Sequence, residues 1–290
     1  MFKKILKWTL RIIGSFLLLA ILFYTLVYFK TEARANKVYT VNIQKLVILT
    51  DSASLKLGAH VAGVRGCNDC HANGGVPFFD DKNPLALLHT SNLTTGKGGI
   101  NYTDTDWIRA FRHGLGKDGK SLWFMPVQHT SAGLSNKELG ALIGYLKQLP
   151  PVNNVHPKKE MKPLGRLLTF LGKFDMFPAE ILNHNAIFAD EVKPEITAAY
   201  GKYLAISCQG CHGNNFRGGP GHGPGEPDIA NLTQTGHLGH WGSDQFITAM
   251  QTGKTPEGKL LSDYMPWKSL GKAHNKEELQ AIFLYLKEMK

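Results

Sequence analysis

Residues 206–215 read ISCQGCHGNN and place Cys208, Cys211 and His212 within five consecutive positions. A CxxC pair alone suits a redox dithiol or half of a zinc site. A histidine directly after the second cysteine is instead the attachment pattern for a c-type haem, in which both thiols become thioethers and the adjacent imidazole reaches the iron. The pattern recurs as GCNDCHANGG at residues 66–75, with Cys67, Cys70 and His71. The two motifs use all four cysteines of the chain. A structural zinc site wants four ligands from pairs a few tens of residues apart, whereas these pairs begin 141 residues apart. Two covalently bound haem c groups are therefore expected, on Cys67, Cys70 and His71 and on Cys208, Cys211 and His212.

The rest of the sequence repeats at the same interval. Asn92, Leu93 and Thr94 fall on Asn231, Leu232 and Thr233, while Ile108, Ala110 and Gly114 meet Ile247, Ala249 and Gly253. DGK at 118–120 meets EGK at 257–259, FMP at 124–126 meets YMP at 264–266, and GYLK at 144–147 meets LYLK at 284–287, so the offset stays between 139 and 141. Each copy ends in a readable helix. Ser135 and Glu138 form an S-x-x-E capping box before the stripe Leu139, Leu142, Ile143 and Leu146, and Pro150 with Pro151 stops the run. In the second copy Asn275 and Glu278 precede Leu279, Ile282, Phe283 and Leu286. Middle helices should start near Thr103 and Ser243, and short apolar helices at 55–64 and 196–206 should precede the CxxCH motifs. Convincing alternating strands are absent, so the expected fold is all-α.

An iron held by one histidine needs a sixth ligand. Met125 and Met265 each precede a proline and lie 54 and 53 residues after His71 and His212. A thioether favours reduced iron and raises the potential, so the expected metal ligands are His71, Met125, His212 and Met265. Met250 aligns with Phe111 and reads as core filler, as methionine often is; Met161 and Met176 lie between the copies and Met289 at the C-terminus. Eight further histidines, His60, His89, His113, His129, His222, His237, His240 and His274, have no histidine at the matching place in the other copy. They read as surface or loop residues. A backbone carbonyl near Pro77 or Pro220 is a candidate acceptor for the histidine's second ring nitrogen.

Residues 12–29 carry no charge over 18 positions, ~27 Å of helix at ~1.5 Å per residue, close to a bilayer core. Lys3, Lys4, Lys7 and Arg11 precede the run, which keeps the N-terminus cytoplasmic and sends the remainder outward. The competing reading is a cleaved signal peptide, since Ala33, Arg34 and Ala35 spell an A-x-A site; against it, the apolar run is long and Lys30 and Glu32 stand before the cut. Either reading exports the repeats. The net charge of +10 is concentrated at the start: residues 1–40 hold +6 and the rest +4. Two haems add four propionates, so the basicity reads as a topology signal and no nucleic-acid partner is expected.

The expected layout is an N-terminal membrane anchor (1–30), a linker (31–50), a first domain (51–152), a connection (153–194) and a second domain (195–290). The segment LGRLLTFLGKFDMF at 164–177 is apolar enough to pack on a domain as a covering helix.

The motifs CNDCH, NLTTGKGGINYTDTDWIRAFRHGLGKDGK, FMP and LSNKELGALIGYLKQLPPV follow one another in the first copy. In this the chain resembles membrane-anchored bacterial dihaem c-type cytochromes, and in particular the cytochrome c subunits of periplasmic alcohol, aldehyde and sugar-acid dehydrogenases. The resemblance covers nearly all of 55–152 and, less fully, 196–290. It implies two tandem class I cytochrome c domains after an N-terminal transmembrane helix, with His71 and Met125 on one iron and His212 and Met265 on the other. Those subunits typically carry three such modules and a C-terminal anchor, where this chain has two and an N-terminal one. The implied role is electron transfer without catalysis, between a dehydrogenase, an oxidase or another cytochrome, in a single-pass protein of the inner membrane with its haem domains on the periplasmic side. The alternative is a dihaem cytochrome c peroxidase, which needs one iron open to peroxide; two Met-Pro loops in matching places argue against it.

Overall fold

The computed structural model describes residues 2–221 and 225–290; His222 lies outside them. The chain opens with a 34-residue helix, α1 (Phe2–Ala35), in which only Val27, Thr31 and Ala35 are buried. It is long and apolar enough to cross a membrane, and it continues without a break through Ala33, Arg34 and Ala35. Of residues 31–50, expected as a linker, 31–35 complete α1 and 37–50 are laid along the first module. Tyr39 N–H donates to Gly119 O at 2.9 Å and Leu49 N–H to Gly140 O at 3.3 Å.

The first module contains α2 (Ser52–Val64), α3 (Cys67–His71), α4 (Asp104–His113), α5 (Val127–Thr130) and α6 (Asn136–Lys147), and the connection adds α7 (Pro163–Phe170). The second module contains α8 (Ala198–Ala205), α9 (Gln209–His212), α10 (Ser243–Thr252), α11 (Trp267–Ala273) and α12 (Lys276–Glu288). Local chemistry sets the boundaries. Asp51 accepts from the N–H groups of Ala53 and Ser54 to start α2, Thr103 and Asp106 cap α4 reciprocally, and Asn275 and Glu278 do so for α12. Gly114 at φ +62° and Gly253 at φ +73° end the two middle helices in the left-handed region.

The stripes read from the sequence form the cores. Leu139, Leu142, Ile143 and Leu146 pack with Val61, Trp107 and Phe111; Leu279, Ile282, Phe283 and Leu286 pack with Leu204, Phe246 and Met250. In both modules the first and last helices cross at a glycine. A Cβ on Gly58 would strike the Ala141 carbonyl of α6, and one on Gly201 would strike the Ala281 carbonyl of α12.

The all-α expectation needs one correction. Three short strands, β1 (Pro77–Phe79), β2 (Ala86–His89) and β3 (Glu160–Met161), form an antiparallel sheet in the order β1-β2-β3. They are two to four residues long, too short for alternation to register, and β3 arrives from the connection. There Met161, Met176 and Phe177 share a buried cluster with Ala35, Ala86 and Leu88, so the connection is part of the first module's wall.

Placing a branched side chain at either crossing forces two backbones apart. Gly58→Val and Gly201→Val are each expected to lose at least ~1–3 kcal/mol, seen as a lower thermal midpoint of the affected module. An unchanged midpoint would remove the close crossing from that module.

Candidate haem-attachment sites

Each CxxCH motif starts where its module's first helix ends. Arg65 caps α2 and Gly66, at φ +69°, turns the chain into α3; α8 runs through a tight turn at Ile206–Cys208 into α9. None of the four cysteines is in a disulfide. Burial pushes Cys67 up to about 12 and Cys208 up to about 11, and raises Cys70 and Cys211 as well. A reactive dithiol needs the opposite shift, whereas a neutral thioether is at ease in such surroundings.

The histidines fit the same group. His71 Nδ1–H donates to Ser91 O at 2.8 Å, and His212 Nδ1–H donates to Ala230 O at 2.8 Å. A carbonyl can only accept, so the proton sits on Nδ1 and Nε2 keeps its lone pair. Burial lowers the pKa of both rings, keeping them neutral. These acceptors are not the carbonyls near Pro77 and Pro220. They belong to the residues immediately before the repeated Asn-Leu-Thr triplets. Asn92 Oδ1 accepts from the N–H and the hydroxyl of Thr94, and its Nδ2 donates to Val152 O at 2.8 Å. In the second module Asn231 Oδ1 accepts from Thr233 N–H at 2.9 Å. The triplet at the repeat offset was the signal available for this carbonyl.

Met125 and Met265 occupy matching loops. Val127 N–H donates to Met125 O and Trp267 N–H to Met265 O, at 2.8 and 2.7 Å. Met125 and Cys67 pack on the first core, Met265 and Cys208 on the second. The first loop carries an outlier: Phe124 has φ +52°, costly for an aromatic residue and characteristic of functional loops. It is held by a 5.1 Å stack on Phe174 and by its N–H to Met176 O at 2.8 Å. The connection thus buttresses the Met125 loop.

The other histidines divide. His237 and His240 are exposed, as expected. His113 and His274 are not surface residues, with 5% and 7% exposure. His113 lies 3.1 Å from His184 and is pushed down to about 4 by burial and then by the His184 and Arg112 charges, and His274 Nδ1 bonds Leu270 O. His89 faces His156 at 5.0 Å. His129 sits beside Gly210 of the second module. The burial of His113 depends on a partner from the connection, His184, which its own stretch of sequence does not announce.

The modules meet through equivalent residues. His60 lies two positions after Gly58 and bonds Glu278 at 2.6 Å, while Tyr203 lies two positions after Gly201 and gives its hydroxyl to Glu138. Tyr203 also accepts the Ser135 N–H at 2.9 Å, so the expected Ser135–Glu138 box is half replaced by the other module. Buried Arg65 donates to Leu204 O, Tyr203 O and Ser207 Oγ at 3.1–3.2 Å, which sets it between the two attachment motifs.

Residues 198–290 match the cytochrome c family model, on the module where the quoted resemblance is less complete. Among curated relatives, the cytochrome c subunit of an alcohol dehydrogenase (quinone) from Gluconobacter oxydans (strain 621H) is 24% identical over 82% of this chain and 55% of its own length. A fructose dehydrogenase cytochrome subunit from Gluconobacter japonicus is 25% identical over 71% of this chain and 46% of its own length. A gluconate 2-dehydrogenase cytochrome c subunit from Pantoea cypripedii is 30% identical over 56% of this chain and 38% of its own length. The chain spans about half the length of the curated relatives it matches, or less. It carries a cytochrome c domain and is a relative of these dehydrogenase cytochrome subunits.

Asn92 is 1% exposed and satisfies both sides of its turn, so Asn92→Ala should cost ~1–3 kcal/mol. Asn231→Ala, at a less buried site, should cost less; thermal melts compare the two. The module contact should also respond to pH. The hydrogen bond and charge of Glu278 raise the His60 pKa, against burial. Burial pushes Glu278 up, but His60 and the Asn275 N–H pull it below its ordinary value. The pair is strongest between the ordinary values of 4.5 and 6.5. It weakens as pH rises through the raised His60 value or falls through the lowered Glu278 value. The urea midpoint of the wild type should therefore fall from pH 6 to pH 9 by more than that of His60→Gln; equal slopes would refute the coupling.

Proposed function

We propose that this chain is an electron-transfer protein with two covalently attached haem c groups, one in each of two tandem cytochrome c domains (51–152 and 195–290), held by α1 on the outer face of a membrane. The observation that carries the reading is the repeated imidazole arrangement: His71 and His212 each give Nδ1–H to the carbonyl preceding an Asn-Leu-Thr turn. Cys67 and Cys70 would hold one group and Cys208 and Cys211 the other. His71 and Met125 would hold the first iron, and His212 and Met265 the second. Haem bound in this way supplies a one-electron iron couple.

The chain's own residues keep both imidazoles neutral and oriented, and they present a thioether in each matching loop, which favours the reduced metal. The names of the relatives support a dehydrogenase as electron donor; an oxidase or another cytochrome is the acceptor that fits. A peroxidase would need one of the two methionine loops to be dispensable, and the loops occupy equivalent places on their cores.

Haem staining after denaturing electrophoresis should give about half the wild-type signal in Cys67→Ala/Cys70→Ala and in Cys208→Ala/Cys211→Ala, and none when all four are changed. Oxidised wild type should show the sulfur-to-iron charge-transfer band, partly lost in Met125→Ala and partly in Met265→Ala, each with a lowered potential. A haem-to-chain ratio of one, or rapid peroxide turnover by the wild type, would overturn the proposal.

A further inference from the structure

We infer that α7 is a second membrane contact: an amphipathic helix lying in the bilayer interface beside α1, so that the first module rests on the lipid surface in a fixed orientation. The inference rests on the reading of α1 as a membrane anchor.

The side of α1 that meets protein starts at Phe23. Its ring makes an edge contact with Phe170 of α7 at 6.1 Å, and Val27, Thr31 and Ala35 continue the buried stripe. Phe23 lies six residues inside the end of the charge-free run at Phe29, ~9 Å along the axis at ~1.5 Å per residue. The Phe170 ring therefore reaches a depth where α1 is still in hydrocarbon, while the carbonyl of Thr169 beside it is held by Arg34, beyond the end of the run.

Polar contacts stack in the opposite direction. Arg166 lies over the Tyr28 ring at 4.3 Å and donates to Thr31 Oγ1 and Glu32, while Arg34 binds Glu180 and Thr169 O. The groups that need water or headgroups thus lie above Phe23, and the rings lie below them. On its free side α7 exposes Leu164 (43%), and Leu171 just beyond its end is 52% exposed, with Leu167 and Leu168 half-buried. Lys30 of α1 and Lys173, two residues beyond Leu171, are both exposed, as cations are beside anionic headgroups. An apolar strip beside the end of the anchor's charge-free run, with lysines near it in the sequence, is the pattern of an interfacial helix.

The test uses the full haem-loaded chain in vesicles of phosphatidylethanolamine and phosphatidylglycerol. A spin label is placed at Leu171→Cys, with Leu19→Cys as the anchor reference, Ser262→Cys as the aqueous reference and the unmutated chain as the blank. Collisions with oxygen, which partitions into lipid, are compared with those of a water-soluble nickel chelate. The expected result is a Leu171 label shielded from nickel and open to oxygen, nearly as at Leu19. A Leu171 label as nickel-accessible as that at Ser262, with Leu19 still shielded, would overturn the α7 contact while leaving the anchor intact. Nickel access at Leu19 would overturn the anchor itself. A Leu171 label shielded from both reagents would assign the strip to a protein surface and refute the lipid contact.

Discussion

In each module the first and last helices touch backbone to backbone, at Gly58 against Ala141 and at Gly201 against Ala281. Only glycine permits that approach, and the separation it sets decides where everything downstream falls. The helix that crosses there runs on into the CxxCH motif, so the crossing positions the two thiols and the imidazole against the core. It also aims the residue two places further on, His60 or Tyr203, out of its own module towards the capping acid of the other module's last helix.

That reciprocity gives a single chain the logic of a two-fold interface, in which equivalent residues exchange equivalent contacts. The equivalence is chemical in position only. One partner is an imidazole whose charge depends on pH; the other is a phenol that burial and Glu138 push up to about 12, so it stays neutral. Arg65 completes the contact with hydrogen bonds to two carbonyls and one hydroxyl, which satisfy part of its guanidinium without neutralising it. Its guanidinium therefore stands between the two CxxCH motifs.

The duplication is broken outside the interface. The connection, the short sheet and the C-terminal end of α1 all build on the first module, through the Met176–Phe177 cluster and the stack of Phe174 on Phe124. The strained backbone at Phe124 has no counterpart at Tyr264. Two loops that read alike in sequence therefore have different supports, which separates the environments of Met125 and Met265.

The attachment motifs, the Met-Pro loops, the caps at Thr103 and Asn275 and the apolar stripes of α6 and α12 were all legible in the sequence. Each is governed by interactions within a few residues or by the helical period, and the internal repeat supplied a second reading of every one. The strands were not legible, nor was the burial of His113 and His274, the real acceptor of the His71 and His212 Nδ1 protons, or the exchange of Ser135's capping partner. The His71–Ser91, Glu138–Tyr203 and His60–Glu278 contacts join residues 20, 65 and 218 positions apart. Local propensity and period carry no information about such pairs. They exist because the helix crossings bring distant backbones to one place, and only the tertiary structure decides which carbonyl, acid or hydroxyl is waiting there.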